Sequence, residues 1–281
     1  MNENDDSFLI KIDPHEYQLI TKLVNERYGV NLTEKKLTLV RGRLNKLIRQ
    51  KGFQKFSEYL SYLQNDESGY AMIELMDRLT TNHTYFYREP HTFDFFQRVT
   101  LPPLINRLDA GEEIRLWSAG CSSGEEPYTL AMVMSENVPA ELLNKVKILA
   151  TDLSLQVLEH AIHGFYSAER LKNVPNEWLK NYFKPIDLEK FQVNEKLQSL
   201  ITFKRLNLVH HPFPFRRKFA AIFCRNVMIY FDQDNKNALI KEFHRVLEHE
   251  GWLFIGHSES LGREQKFFRF VEPSIYQRFS D

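Results

Sequence analysis

The residues best able to do chemistry lie just past short apolar runs. The first stretch, "SAGCSSGEEPY" (118–128), has Gly120 and Gly124 among small residues, then Glu125 and Glu126 where a helix begins. The second is Asp152, closing "VKILATD" (146–152). The third is Asn207 in "ITFKRLNL" (201–208), and the fourth is "CRN" (224–226), which interrupts the apolar run "FAAIFCRNVMIYFD" with Arg225 and Asn226. Small residues let a ligand approach the backbone, and a helix N-terminus favours an electron-rich group. The turn lacks the G-x-G-x-x-G pattern and has no Gly-Lys-Ser/Thr. Its two adjacent acids would repel a phosphate. A tight strand–helix turn whose acids complement the helix dipole is the plain alternative. Asp152 reads either as a ribose ligand or as an N-cap for a helix at Leu155. Each signal is weak alone, and together they suggest an adenosine-containing ligand without phosphate and with positive charge. S-adenosylmethionine meets those conditions. Its sulfonium is already electrophilic, so positioning supplies much of the rate. No H-E-x-x-H or Cys–His pattern occurs, no metal site is expected, and His210–His211 read as solvated.

These groups need a scaffold that brings strand ends together. Strand-like runs at 113–119, 146–152, 201–208, 219–226 and 251–258 alternate with helical stretches, including 124–137 and one carrying Leu239, Phe243, Val246 and Leu247. The alternation predicts an α/β fold, a doubly wound and mostly parallel sheet, in which ligands bind at the carboxyl ends of strands. "FFRFVEPSIYQRF" reads as a final pair of strands. Residues 8–79 form a small all-helical N-terminal domain. Asp13 caps its first helix, Pro14 takes the first helical position and Gly29 stops it; Thr33 and Gly52 bound the second. Residues 80–90 are expected to be a linker or cofactor-site loop, and 91–281 the second domain. An inserted β-subdomain at about 174–202 breaks the alternation.

Bulk properties exclude several classes. The 281 residues are 43% hydrophobic and 26% charged, with zero formal net charge, so no general attraction to nucleic acid or acidic membrane is expected. Two cysteines far apart, Cys121 and Cys224, argue for a reducing compartment. The acidic N-terminus does not read as a signal peptide, and no apolar run approaches the length of a membrane span. A cytoplasmic monomer is expected.

The stretches "LTTNHTYFYREPHTF", "LWSAGCSSGEEPYTLAM", "ILATDLSLQVLEHA", "FKRLNL", "FCRNVMIYFD" and "GWLFIGHSES" resemble the successive motifs of the CheR-type chemotaxis receptor methyltransferases, from about residue 10 to 279. The resemblance implies methyl transfer from S-adenosylmethionine to glutamate carboxylates of chemoreceptors, giving glutamyl methyl esters and S-adenosylhomocysteine. It places Asn82, Thr84 and Arg88 in the cofactor site, with Arg88 also near the reacting centre. Glu126, or else Glu125, contacts the cofactor, and Asp152 holds the ribose. Asn207 and Leu208 flank the adenine, Arg225 and Asn226 sit by the methionine part, and Tyr230 stands near the transferred methyl. Residues 35–55 carry eight Lys or Arg and no acid. The resemblance makes Lys36, Arg43 and Lys46 a docking face for the acidic receptor helix bundle. A solvated face and a nucleic-acid surface are the alternatives. The insertion, "FKPIDLEKFQVN", lacks the glycine of members that bind a C-terminal pentapeptide tether, so no tether is expected. The rival functions are methylation of another substrate and a non-catalytic scaffold that senses S-adenosylmethionine.

Overall fold

The computed structural model describes residues 9–79, 84–262 and 265–279. The described residues divide into two compact units, one of residues 9–79 with 230–232 and the other of the remaining described residues.

The first unit is helical: α1 Pro14–Tyr28, α2 Leu37–Gln50, α3 Phe56–Asn65 and α4 Tyr70–Leu79. Asp13 caps α1 in a reciprocal capping box with Glu16, and Gly29 closes it at φ 65°. Thr33 makes no side-chain cap. A 3₁₀ turn, Glu34–Lys36, leads into α2 instead. Val40, Leu44, Leu47 and Ile48 of α2 are buried at helical spacing. Tyr230–Asp232 join this unit: the Asn31 N–H donates to the Tyr230 carbonyl at 2.8 Å, and Asn25 Nδ2 donates to Asp232 Oδ2 at 3.0 Å.

The second unit begins, after the 84–89 loop, with helices α5 Pro90–Phe95 and α6 Leu101–Asp109, joined by a π turn. Then come β1 Ile114–Ala119, α7 Glu125–Asn137, β2 Val146–Asp152, α8 Leu155–His163 and β3 Phe165–Ser167. Next are α9 Asn176–Tyr182, β4 Phe183–Pro185, β5 Lys190–Val193, α10 Glu195–Gln198, β6 Ile201–Arg205 and β7 Phe219–Cys224. The chain closes with α11 Gln233–Val246, β8 Leu247–Ile255, β9 Phe268–Glu272 and β10 Ile275–Arg278. The main sheet has the order β6-β2-β1-β7-β8-β10-β9. The first five strands are mutually parallel, and β10 and β9 add as antiparallel strands. The expected doubly wound sheet is present. Strand β8 starts at Leu247, four residues before the expected Gly251, and β6 ends at Arg205, which leaves Asn207 beyond the strand.

The buried core explains why β7 is uninterrupted apolar sequence. All six of its residues are buried, as a strand covered on both faces requires. Phe223 stacks on Phe254 of β8 at 4.4 Å and meets Phe96 edge-on at 5.5 Å. Elsewhere Trp117 of β1 packs among Phe213, Phe219 and Phe243. A second sheet, β3-β5-β4, is antiparallel and takes its first strand from Phe165–Ser167, ahead of the expected insertion.

Candidate functional site

The sheet order fixes where a ligand belongs. The chain runs from β1 outward through β2 to β6, then crosses to the other side of β1 for β7. The switch point therefore lies between β1 and β7, and the crevice opens past their carboxyl ends. Ser118 of β1 is level with Phe223 of β7, and Ala119 with Thr151 of β2. This register brings the 120–126 turn, Asp152 and Arg225 to one edge.

The 120–124 turn has a shape that side chains would forbid. Gly120 (φ 81°) has Val227 Cγ2 only 2.4 Å from where a Cβ would stand. At Gly124 (φ 97°) a Cβ would lie 2.8 Å from both the Ala161 Cβ and the Tyr166 hydroxyl. The Gly120 and Cys121 N–H groups donate to the Thr151 carbonyl at 2.7 and 2.9 Å, tying the turn to β2. Asp152 completes that tie: its Oδ2 accepts the Ser122 N–H at 2.8 Å, and its Oδ1 accepts the Ser154 N–H at 3.0 Å. The N-cap of α8 is Ser154, whose Oγ accepts from Val157 N–H at 3.3 Å. Asp152 thus anchors the β1 turn rather than capping the helix.

The two adjacent acids part company. Glu125 is fully buried; its carboxylate accepts from Ser123 Oγ at 2.7 Å and from the Arg170 guanidinium. Glu126 keeps 13% of its side chain exposed at the crevice. Its Oε1 accepts from Ser118 Oγ at 2.7 Å, and its Oε2 from Arg225 Nη1 at 3.0 Å.

Arg225 is the centre of the site, with only 2% of its side chain exposed. Nη2 donates to Glu89 Oε2 at 3.0 Å and to the Arg88 carbonyl, and the guanidinium lies over the Phe93 ring at 5.2 Å. Two carboxylates on one buried arginine leave the local charge negative, which favours a cation over a phosphate. Burial alone would raise the Glu89 carboxyl, but Arg225 and its hydrogen bond, with help from His257 and Asn226, bring it below the usual carboxylate value. Asn226 adopts φ 60°; its N–H donates to Glu259 Oε2 at 2.9 Å and its Nδ2 to Glu89 Oε1 at 3.4 Å. Glu259 also accepts from Gly256 N–H at 2.6 Å and Ile229 N–H at 3.3 Å. Burial outweighs these bonds and pushes its carboxyl up.

The other expected residues fall as follows. Thr84 and Arg88 are half-buried in the 84–89 loop, and the Arg88 guanidinium lies 5.9 Å from the Tyr85 ring centre. Phe86 of that loop is fully buried, edge-on to Tyr166 of β3 (4.9 Å) and Phe183 of β4 (5.5 Å), so the small sheet braces it. Asn207 is half-buried, its Oδ1 accepting from Val209 N–H at 3.2 Å, and Leu208 is buried. Asn82 lies outside the described residues. Tyr230 belongs to the helical unit, with Lys36 Nζ 5.6 Å from its ring centre. Lys46 is exposed, whereas the half-buried Arg43 donates to the Leu79 carbonyl at the end of α4. His211 corrects the expectation of a solvated pair: both its ring nitrogens are shielded without a partner, and its ring meets Phe213 at 5.0 Å. Sequence reasoning missed Glu89, Glu259 and Ser118. Glu259 was findable, being the acid just beyond the β8 strand end.

The donor set fits S-adenosylmethionine. Beside the acids that suit its cationic groups, Arg225 Nε and Asn226 Oδ1 are buried without a protein partner, a donor and an acceptor side by side in the chain. Among the described residues no cluster of His, Cys, Asp and Glu could hold a metal ion, and no helix is long and apolar enough to cross a membrane.

Comparison with known proteins agrees with this geometry. A family model described as "CheR methyltransferase, SAM binding domain" matches residues 82–276, and "CheR methyltransferase, all-alpha domain" matches 15–80. The chain is 44% identical over 280 residues to a chemotaxis protein methyltransferase of Borreliella burgdorferi, covering 99% of both chains. It is 34% identical to that of Escherichia coli over 96% of this chain and 92% of the relative. A "probable chemotaxis protein methyltransferase" of Rhizobium etli is 38% identical over 85% and 90%. An α/β unit with an acid-lined switch point, preceded by an all-helical unit, defines an S-adenosylmethionine-dependent methyltransferase with an added helical domain. The chain belongs to the CheR methyltransferase family.

Proposed function

We propose that this chain transfers a methyl group from S-adenosylmethionine to glutamate carboxylates of methyl-accepting chemotaxis receptors, yielding glutamyl methyl esters and S-adenosylhomocysteine. Membership of the family and the names of its relatives support methyl transfer in chemotaxis. The observation that carries the reading is the pair of carboxylates, Glu126 and Glu89, on the buried Arg225 at the sheet's switch point.

When bound, S-adenosylmethionine supplies an electrophilic methyl group on sulfur. Glu126, Arg225 and Asn226 would hold its methionine part, with Asn82, Thr84 and Arg88 contributing from the 80–90 loop. Asp152 would take the ribose hydroxyls from its place at the carboxyl end of β2. Asn207 and Leu208 would flank the adenine. A substrate glutamate, with an ordinary pKa of ~4.3, is ionised at neutral pH and needs no general base. It needs orientation, which the Arg88 guanidinium supplies as a fork of donors. Tyr230 would stand beside the transferred methyl.

The partner is the helical bundle of the receptors, reached through Lys36, Arg43 and Lys46. No pentapeptide tether, nucleic acid or membrane insertion is involved, and the protein acts as a cytoplasmic monomer. Incubation with tritiated S-adenosylmethionine and receptor-containing membranes tests the whole reading. Base-labile label on the receptor is the expected result. Label on nucleic acid, or cofactor binding with no transfer, would overturn it.

A further inference from the structure

We propose that Glu89 is a positioning residue of the cofactor site: it sets the orientation of the Arg225 guanidinium and of the Asn226 amide. The inference rests on the reading of Arg225 and Asn226 as cofactor-binding residues.

Glu89 stands in left-handed backbone (φ 58°, ψ 70°) immediately before Pro90. That region is unfavourable for a side chain with a Cβ, and a following proline pushes a residue toward extended backbone. A strained residue persists where its surroundings over-determine it. Here the surroundings are three donors. Oε2 accepts from Arg225 Nη2 at 3.0 Å and from His257 N–H at 3.2 Å, and Oε1 accepts from Asn226 Nδ2 at 3.4 Å. The carboxylate therefore joins the 84–89 loop to the ends of β7 and β8.

The consequence for Arg225 is geometric. A guanidinium is a rigid plane, so two fixed nitrogens fix the third. Glu126 holds Nη1 and Glu89 holds Nη2, and Nε is left buried without a protein partner. Asn226 behaves alike: Glu89 takes its Nδ2, so the amide presents Oδ1, the other buried atom without a partner. Both atoms left over for a ligand are thus aimed by one carboxylate. Glutamine at this position would keep the length but set an NH₂ donor against donors.

The test starts from the wild-type chain, titrated calorimetrically with S-adenosylmethionine. No binding there would overturn the cofactor reading itself, before Glu89 is touched. With wild-type binding established, Glu89→Gln should weaken affinity by about 10- to 100-fold, the range for losing a hydrogen bond between charged groups. Glu89→Asp, which keeps the charge, should recover part of it. In ¹⁵N-labelled protein the Arg225 Nε–H signal, assigned with Arg225→Lys, should move in Glu89→Gln and return toward its place in Glu89→Asp. Wild-type affinity in Glu89→Gln, or an unmoved Arg225 signal, would overturn the proposal. So would failure of Glu89→Gln to fold, which would make Glu89 a structural residue.

Discussion

Arg225 and Glu126 stand 99 positions apart in the chain, yet Arg225 Nη1 meets Glu126 Oε2 at 3.0 Å past the ends of β7 and β1. Strand register makes this contact possible, because Ser118 and Phe223 are level in neighbouring strands. Ser118 then fixes the far oxygen of Glu126 at 2.7 Å. The pair is almost wholly shielded from solvent, so its partners matter more than those of a surface ion pair.

Glu126→Gln removes one charge from that pair and leaves Glu89 as the remaining carboxylate on Arg225. S-adenosylmethionine affinity should fall by roughly 10-fold or more, as the loss of a charged hydrogen bond implies. Calorimetric titration measures it. An affinity within twofold of wild type would remove Glu126 from the site.

Gly120→Ala should destabilise the second unit by about 1–3 kcal/mol, the cost of placing a side chain in left-handed backbone, with a clash against Val227 added. Denaturant unfolding reads it. Gly42, at which a Cβ meets nothing within 4 Å, is the control position.

Arg170→Met leaves the fully buried Glu125 carboxylate with Ser123 as its remaining side-chain partner. Breaking a buried pair costs about 3–5 kcal/mol, and the 43% exposure of the Arg170 side chain argues for the lower end. Adding Glu125→Gln to Arg170→Met should restore part of the loss, because it removes the stranded charge. No recovery would show that the charge was not the cause.

His211 predicts a pH dependence of stability. Burial, chiefly, holds its pKa below the ordinary value, with Glu242 opposing and His210 and Arg245 adding to the shift. The folded state therefore binds fewer protons than the unfolded chain once pH falls to ~6.5. Stability contributed by neutral His211 is present above that pH and is lost as pH falls toward the depressed folded value. His160 shifts in the same direction, with burial again the first cause. Melting curves from pH 7.5 to 5 should show the decline, and His211→Phe should flatten it. An identical slope in the variant would sink the assignment.

Lys46→Glu should lower receptor methylation several-fold while S-adenosylmethionine affinity holds. Lys46 is a cleaner probe than Arg43, whose bond to the Leu79 carbonyl gives it a structural task in the helical unit. Transfer assays with receptor membranes, run beside cofactor titration, separate the two effects. Unchanged transfer would return the basic face to solvent.

Local signals in the chain were enough for much of the architecture. Alternation of apolar runs with helical stretches is a property of neighbouring residues, so the parallel sheet and the closing β9–β10 pair could be read directly. The Asp13 cap, Pro14 and Gly29 act within one turn and were legible for the same reason. The Thr33 cap failed because a 3₁₀ turn intervenes, and β8 began early because Leu247 follows α11 with no loop between. For the candidate site, strand-end polar residues marked Asp152, the Glu125–Glu126 pair, Arg225 and Asn226, since in such sheets the strand end is where ligands bind.

Residue type and spacing by themselves determined the α/β class, the acid-bearing turn after β1 and the unsuitability of that turn for phosphate. Tertiary structure alone decided which acid does what. Glu125 and Glu126 are neighbours in sequence but point to different partners about one helical step apart, one to Arg170 and burial, the other to Arg225 and the crevice. It also decided which partner Glu89 and Glu259 share. Each reaches Asn226 from far along the chain, by 137 and 33 positions, and no local pattern encodes a partner that only the folding of the sheet brings within hydrogen-bond reach.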